Sequence, residues 1–236
     1  MNAVLEPAAR DTEARLAASL LSFVGGFVDT FSFVVLFGLF AAHVTGNFVL
    51  IGAALARAGH HGVLAKLLAL PVFVGAVAAT RLLQRRRERS GLESSRLLVA
   101  IQLLLLVVFM AFGLLAGPFG EADEFAAVLT GLVGVAAMAV QNAASRMVFS
   151  HLSPTTVMTG NVTQVTMDLV DRLLGDPATG PGSARIAKMW PPIVAFAVGA
   201  VAAGYSCIAV GFASLLLPMA ALMWVWWRLP RDVRPA

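Results

Sequence analysis

The sequence predicts an all-α protein: a polytopic membrane helix bundle built from two internal repeats. Three observations predict it. Hydrophobic residues make up 59% of the chain, charged residues 13%, and the mean hydropathy is +0.84; a soluble domain carries roughly 25% charged residues. Apolar runs of about 20 residues, the length that crosses a ~30 Å hydrocarbon core, recur along the chain. Thr45-Gly46-Asn47 returns as Thr159-Gly160-Asn161, 114 positions later (159 − 45), and each copy is followed by Val-Gly-Ala-Val-Ala-Ala, at 74–79 and 198–203.

In order, residues 1–15 form a polar N-terminal tail of mixed charge. The apolar run 16–40 is longer than a signal-peptide core and has no clear small-residue cleavage site, so it reads as an uncleaved first span. A short segment, 44–58, begins at the first motif. Spans follow at 64–83 and 97–115, separated by a cytoplasmic loop with six arginines from Arg81 to Arg96. The acidic stretch 118–124 divides repeat 1 (16–117) from repeat 2 (125–228). The second repeat has a span at 125–145, a short motif-bearing segment at 155–170, and two closely spaced spans between Pro192 and Trp227 with a turn near 205–211. Residues 229–236 form the C-terminal tail.

Two topologies compete: six full spans plus two short motif-bearing helices that re-enter, or eight spans. With eight, the 17 basic residues divide ten to seven between the faces. With six, all but Arg57 and Lys66 fall on the cytoplasmic side, fifteen to two (17 − 2 = 15), and the acidic loop falls outside. The positive-inside rule favours six, and an odd number of spans per repeat inverts the second repeat relative to the first.

The polar residues inside these apolar surroundings are the candidate site. Ser22, Gly25, Gly26, Asp29 and Ser32 share one face of the first helix, and Gly134, Ala137, Met138, Gln141 and Ser145 form the matching face of the second repeat. The glycines read as a packing seam, as do Gly75-x-x-x-Ala79 and Gly199-x-x-x-Ala203. A carboxylate within a span costs a few kcal/mol and ordinarily faces a pathway or a partner, which singles out Asp29. Thr45, Gly46, Asn47 and Thr159, Gly160, Asn161 have the residue types of helix starts, with Thr and Asn as N-caps. Helices that start at membrane depth aim free N–H groups at the midplane, as the broken helices of inverted-repeat transporters do. Asn161, Gln164 and Asp168 lie on one stripe of the second short helix, with no polar match in the first. Asn142 adds an amide beside Gln141.

His43 and His151 precede the two motifs, and histidine is the side chain type whose ordinary charge change lies nearest neutral pH. The pair His60-His61 reads as an interfacial loop. Cys207 is the single cysteine, so neither a disulfide within the chain nor a cysteine-based metal site is expected. Trp224, Trp226 and Trp227 beside Arg228 read as an interfacial anchor. No nucleotide-binding loop, zinc-protease helix or nucleophile elbow is present, so no catalytic residues, metal or cofactor are expected, and the protein is not expected to be an enzyme. Nucleic acid is not an expected partner; the partners expected are the lipid bilayer and a small solute, with a homo-oligomer left open.

Gly25-Gly26-Phe27-Val28-Asp29, Ser32, His43-Val44-Thr45-Gly46-Asn47, Gln141-Asn142-Ala143 and Pro154-Thr155-Thr156 through Asn161 together resemble the YoaK family of bacterial inner-membrane proteins, over about 16–227. The resemblance implies a multi-pass protein of the bacterial inner membrane and supplies neither substrate nor catalytic residues. The function expected from the residues is a small-solute transporter or channel whose mid-membrane site is formed by the two Thr-Gly-Asn motifs. The alternative is a non-transporting membrane protein that binds a protein or lipid partner.

Overall fold

The computed structural model describes residues 7–56, 62–175 and 182–230; Arg57, His60, His61, Arg231 and Arg234 lie outside them. Every regular element among the described residues is helical. The order is α1 (Pro7–Val35), α2 (Gly46–Ala56), α3 (Val63–Arg89), α4 (Ser95–Ala116), α5 (Phe125–Arg146), α6 (Met158–Leu173), α7 (Gly182–Val210), a 3-10 turn (Gly211–Leu215) and α8 (Leu216–Arg228). Residues 11–35, α3, α4, α5 and the continuous run 185–228 are long and apolar enough to cross a membrane, whereas α2 is apolar but short.

Several boundaries differ from the sequence expectation. The first helix stops at Val35 rather than near 40, because Phe37 (φ 53°) and Gly38 (φ 79°) turn the chain back in the left-handed region. That conformation is uncommon for phenylalanine. The arginine run is largely helix: α3 continues through Arg89 and reverses only at Gly91 (φ 68°), because arginine is a good helix former. Between α7 and α8 the break falls at Gly211 (φ 56°), at the far edge of the expected turn, leaving α8 with 13 residues.

α1 lies at the centre, burying Leu21, Val24, Phe27, Val28 and Phe31. Its main partner is α7, and the two backbones touch. A Cβ on Gly26 would stand 2.1 Å from the Phe196 carbonyl oxygen, and one on Gly199 would stand 2.2 Å from that of Phe23. The seam expected at Gly199 and Ala203 is therefore a real crossing. Its sequence match is not: Gly75 and Ala79 are exposed, and nothing lies within 4 Å of a Cβ on Gly75.

The helix contacts come in matching pairs. α1 packs on α7 and α5 on α3, and α4 on α5 and α8 on α1, each between the halves, whereas α2 lies on α3 and α6 on α7 within one half.

Side-chain contacts fix which helix ends lie together. Lys66, in the first turn of α3, donates from Nζ to the carbonyls of Phe37 (2.8 Å) and Gly62 (2.8 Å). The start of α3 is thus held at the end where α1 stops. The same end holds Asp123, whose carboxylate accepts from the Gly62 and Leu64 backbone N–H groups, a favourable place for an anion. At the opposite end, Lys188 Nζ donates to the His151 carbonyl at 2.6 Å, so α7 starts where α5 stops. Phe37 and His151 are themselves 114 positions apart, like the motifs. Arg228 joins Glu13 there (2.9 Å), and the Arg96 guanidinium covers the Trp226 ring at 4.0 Å.

Candidate functional site

Each half folds a segment back along the helix that precedes it. In the first half, the Asp29 carboxylate is 4% exposed, six residues before α1 ends. Oδ1 accepts from the backbone N–H groups of Ala42 (2.7 Å) and His43 (3.2 Å), and Oδ2 meets His43 Nδ1 at 2.6 Å. Residues 42 and 43 therefore lie level with Asp29, about 9 Å back from the end of α1 at 1.5 Å per residue. α2 starts just beyond and is about 16 Å long. It leads to α3, which starts at the end where α1 stopped, so the unit made of residues 36–45 and α2 enters and leaves by one end.

The second half repeats this with different chemistry. Thr156 Oγ1 donates to Asn142 Oδ1 at 2.6 Å, and Gln141 Nε2 reaches Thr155 Oγ1 at 3.3 Å. Positions 42 and 156 are related by the 114-residue motif spacing (156 − 42), so the counterpart of Asp29 is Asn142 more closely than Gln141. Gln141 instead builds a network between helices: Nε2 donates to the Leu21 carbonyl at 2.7 Å, and Oε1 accepts from Gln102 Nε2 at 2.7 Å. A cavity of about 350 Å³ lies where this segment enters, lined by Asn142, Ser145, Arg146, Ser150, Pro154 and Thr156 among others.

The motif asparagines are not helix caps. Both are buried inside their helices and tie the segment to itself. Asn47 Nδ2 donates to the Phe40 carbonyl (2.9 Å) while its Oδ1 accepts from the Phe40 N–H (3.0 Å). Asn161 Nδ2 donates to the Pro154 carbonyl at 2.9 Å, also seven residues back. The reciprocal bond has no equivalent there because proline lacks an N–H. Thr45, Thr159 and Gly160 are exposed and Gly46 is half-buried. Among the described residues α2 packs mainly on α3 and α6 mainly on α7, not on one another.

The stripe on α6 forms a latch. Asp168, 1% exposed, receives Arg185 through two bonds (Nε to Oδ2 3.0 Å, Nη2 to Oδ1 2.6 Å) and Gln164 Nε2 at 2.9 Å. The Arg185 hydrogen bonds hold the Asp168 carboxyl below its usual range against the opposing effect of burial, and Gln164 adds to the lowering. α2 carries no charged residue and has no such latch.

Both inserted segments converge on one stretch of α1. The first grips it at Asp29. The second lies against it at Gly25, where a Cβ would stand 2.8 Å from the Thr155 carbonyl oxygen. Phe196 of α7 sits beside the same glycine and turns its ring edge toward His43, with centroids 6.0 Å apart. Four residues of α1 separate the two contacts, about 6 Å along the helix.

In the sequence, His43 stands out as a titratable neighbour of the motif and Thr155 only within the stretch that carries the family resemblance, while Gln102 and Phe196 are passed over. Gln102 carries a readable signal, a lone amide inside a run of leucines and valines. Thr155 and Phe196 become partners only through tertiary contact.

A family model described as "Protein of unknown function (DUF1275)" matches residues 17–227. The chain belongs to this family. The match runs from α1 to the end of α8 and so includes both inserted segments and their anchors. No curated protein and no solved structure matches the chain.

Proposed function

We propose that this protein is a transporter of a small solute in the bacterial inner membrane, crossing it six times, with α2 and α6 as re-entrant units of two inverted repeats. The observation that carries this reading is the convergence of the two inserted segments, from opposite ends of the bundle, on Gly25–Asp29 of α1. Non-helical backbone at membrane depth is tolerated where protein buries it or where it lines a water-filled path, and inverted repeats with interrupted helices place substrate sites near the midplane. The exchange of contacts between the halves supports the inverted duplication. The return of α2 and α6 to the ends from which they entered supports six crossings over eight. The resemblance to YoaK-type proteins supports the inner membrane.

On this reading the site comprises Asp29, Gln141 and Asn142 with the segments they hold, while Asn47 and Asn161 keep those segments in shape. Gln164 and Asp168 secure the second unit. Thr45, Gly46, Thr159 and Gly160 border the path from its outer side. No enzymatic step is assigned.

Solute flux into proteoliposomes, screened over solute classes, tests the function. Uptake of one solute class that Asn142→Ala weakens in a folded protein supports it, and no flux of any class sinks it. Topology is tested by cysteine labelling in a Cys207→Ala background: positions 85–89 should label from the cytoplasm and positions 121–124 from outside.

A second reading, a non-transporting protein that binds a lipid or protein partner, draws on the exposure of Thr45, Thr159 and Gly160 at the bundle surface. Stable capture of a lipid class, without flux, would favour it.

A further inference from the structure

We propose that Asp29 and His43 form a proton-binding site that fastens the first inserted segment when occupied and releases it when empty. On the transporter reading above, this makes the proton the coupling ion. The coupling role rests on that reading; the proton site itself does not.

The geometry supplies both parts of such a site. Asp29 is almost fully buried, yet the His43 side chain is 34% exposed, so protons reach the ring while the carboxylate stays enclosed. With both ring nitrogens protonated, the imidazolium and the carboxylate form a neutral pair. When His43 gives up one proton to solvent, the ring becomes neutral and the buried site carries one net negative charge. An uncompensated charge in a low-dielectric bundle is costly.

Among the described residues, no other charge near the pair compensates it. From its own segment His43 meets the Phe40 ring, and from α7 the Phe196 ring. α2 has no titratable side chain. On α7, Arg185 and Lys188 are bound to Asp168 and His151, Cys207 bonds the Gly204 carbonyl, and Tyr205 is exposed. From α3, Lys66 holds the Phe37 and Gly62 carbonyls. The charged groups of α8 and α5, Arg228 and Arg146, lie at the far end of the bundle, as do Asp11, Glu13 and Arg15 of α1. The emptied site is relieved by water reaching Asp29, and water competes directly with the Ala42 and His43 N–H groups that hold the segment in place.

His43 lies between α1 and α2, outside the spanning helices. Its hydrogen bond to Asp29 raises its proton affinity above the ordinary value of 6.5, burial opposes this, and the charge of Asp29 adds to the rise. The segment is therefore fully fastened below the ordinary 6.5 and released as the pH climbs through the raised value. The second segment is held by amides and hydroxyls, which do not titrate.

Hydrogen–deuterium exchange on the full chain in lipid nanodiscs, from pH 5.5 to 9, tests this. After the intrinsic pH dependence is divided out, protection of 36–47 should fall by up to about tenfold per pH unit between the ordinary 6.5 and the raised value and level off above it, while 150–161 stays level. Asp29→Asn and His43→Gln should each abolish the fall. If Asp29→Asn does not fold, His43→Gln, which keeps a neutral side chain at the ring's position, carries the test. A level wild-type profile, a fall that survives in the folded variants, or both segments opening together would overturn the proposal. The fall observed in a protein with no flux of any solute defeats the transporter reading and leaves the proton site standing.

Discussion

The two inserted segments perform the same fold-back with opposite chemistry. The first hangs on a titratable pair, Asp29 with His43, and its helix α2 has no charged tie to α3. The second hangs on neutral groups, Gln141, Asn142, Thr155 and Thr156, and its helix α6 is bolted to α7 by Arg185 and Asp168. The two segments share a shape, and the charge stands at the entry of one and at the exit of the other. The lesson is that likeness of backbone between repeats does not carry over to mobility. One unit is built to respond to protons and the other to stay put.

The largest expected effect tests the seams. Gly199→Leu drives a side chain into the Phe23 backbone and should cost at least ~3 kcal/mol or prevent folding. Gly75→Leu, with open space around it, should leave the melting temperature in detergent nearly unchanged. Equal damage from both would mean that α3 meets a partner where α7 meets α1.

Next come the asparagines. Asn47→Ala removes two backbone bonds, and Asn161→Ala removes one together with a weak contact to Met158 sulfur. At about 1 kcal/mol net per bond, Asn47→Ala should be the more destabilising by about that amount in thermal unfolding. The reverse order would show that the second staple matters more than its bonds suggest.

A pH series sharpens the contrast further. His43 has a raised proton affinity, so its contribution is complete below the ordinary 6.5 and fades as pH rises through the raised value. Asp168 has a lowered one, so the latch is complete above the ordinary 3.8 and fades only as pH falls through the depressed value. Protection of α6 should therefore hold from pH 5.5 to 9 and drop in acid, and Arg185→Gln should lower it at every pH. The smallest effect concerns the motif glycines. Gly160→Ala meets nothing within 4 Å and should be neutral or stabilising by about 0.5–1 kcal/mol through helix propensity, while Gly46→Ala must displace the Phe40 ring, 3.0 Å from its Cβ.

Helix class, the repeated motif and the buried place of Asp29 were legible because each leaves a local mark: an apolar run, a repeated tripeptide, a lone carboxylate in a span. The partners were not. Asn47 and Asn161 resemble caps in sequence because capping and loop-stapling call for the same short amide. Only the fold-back shows that their bonds run to residues 40 and 154. Likewise Gly75 and Gly199 occupy identical sequence surroundings, and whether such a seam is filled depends on which helix the exchange of halves brings against it.

That exchange has a consequence for synthesis. The backbone contact between Gly26 and Phe196 joins positions 170 residues apart (196 − 26), a distance a ribosome covers in about 10–30 s at ~5–20 residues per second. Until then α1 sits in the bilayer with its glycine face uncovered and Asp29 short of the packing that will bury it. Neither half can mature first and wait for the other, since each lacks the helix that closes it. A nascent chain halted before α7 should therefore be a substrate for membrane quality control, whereas two halves translated separately should rescue each other only when both are present in the same membrane at the same time.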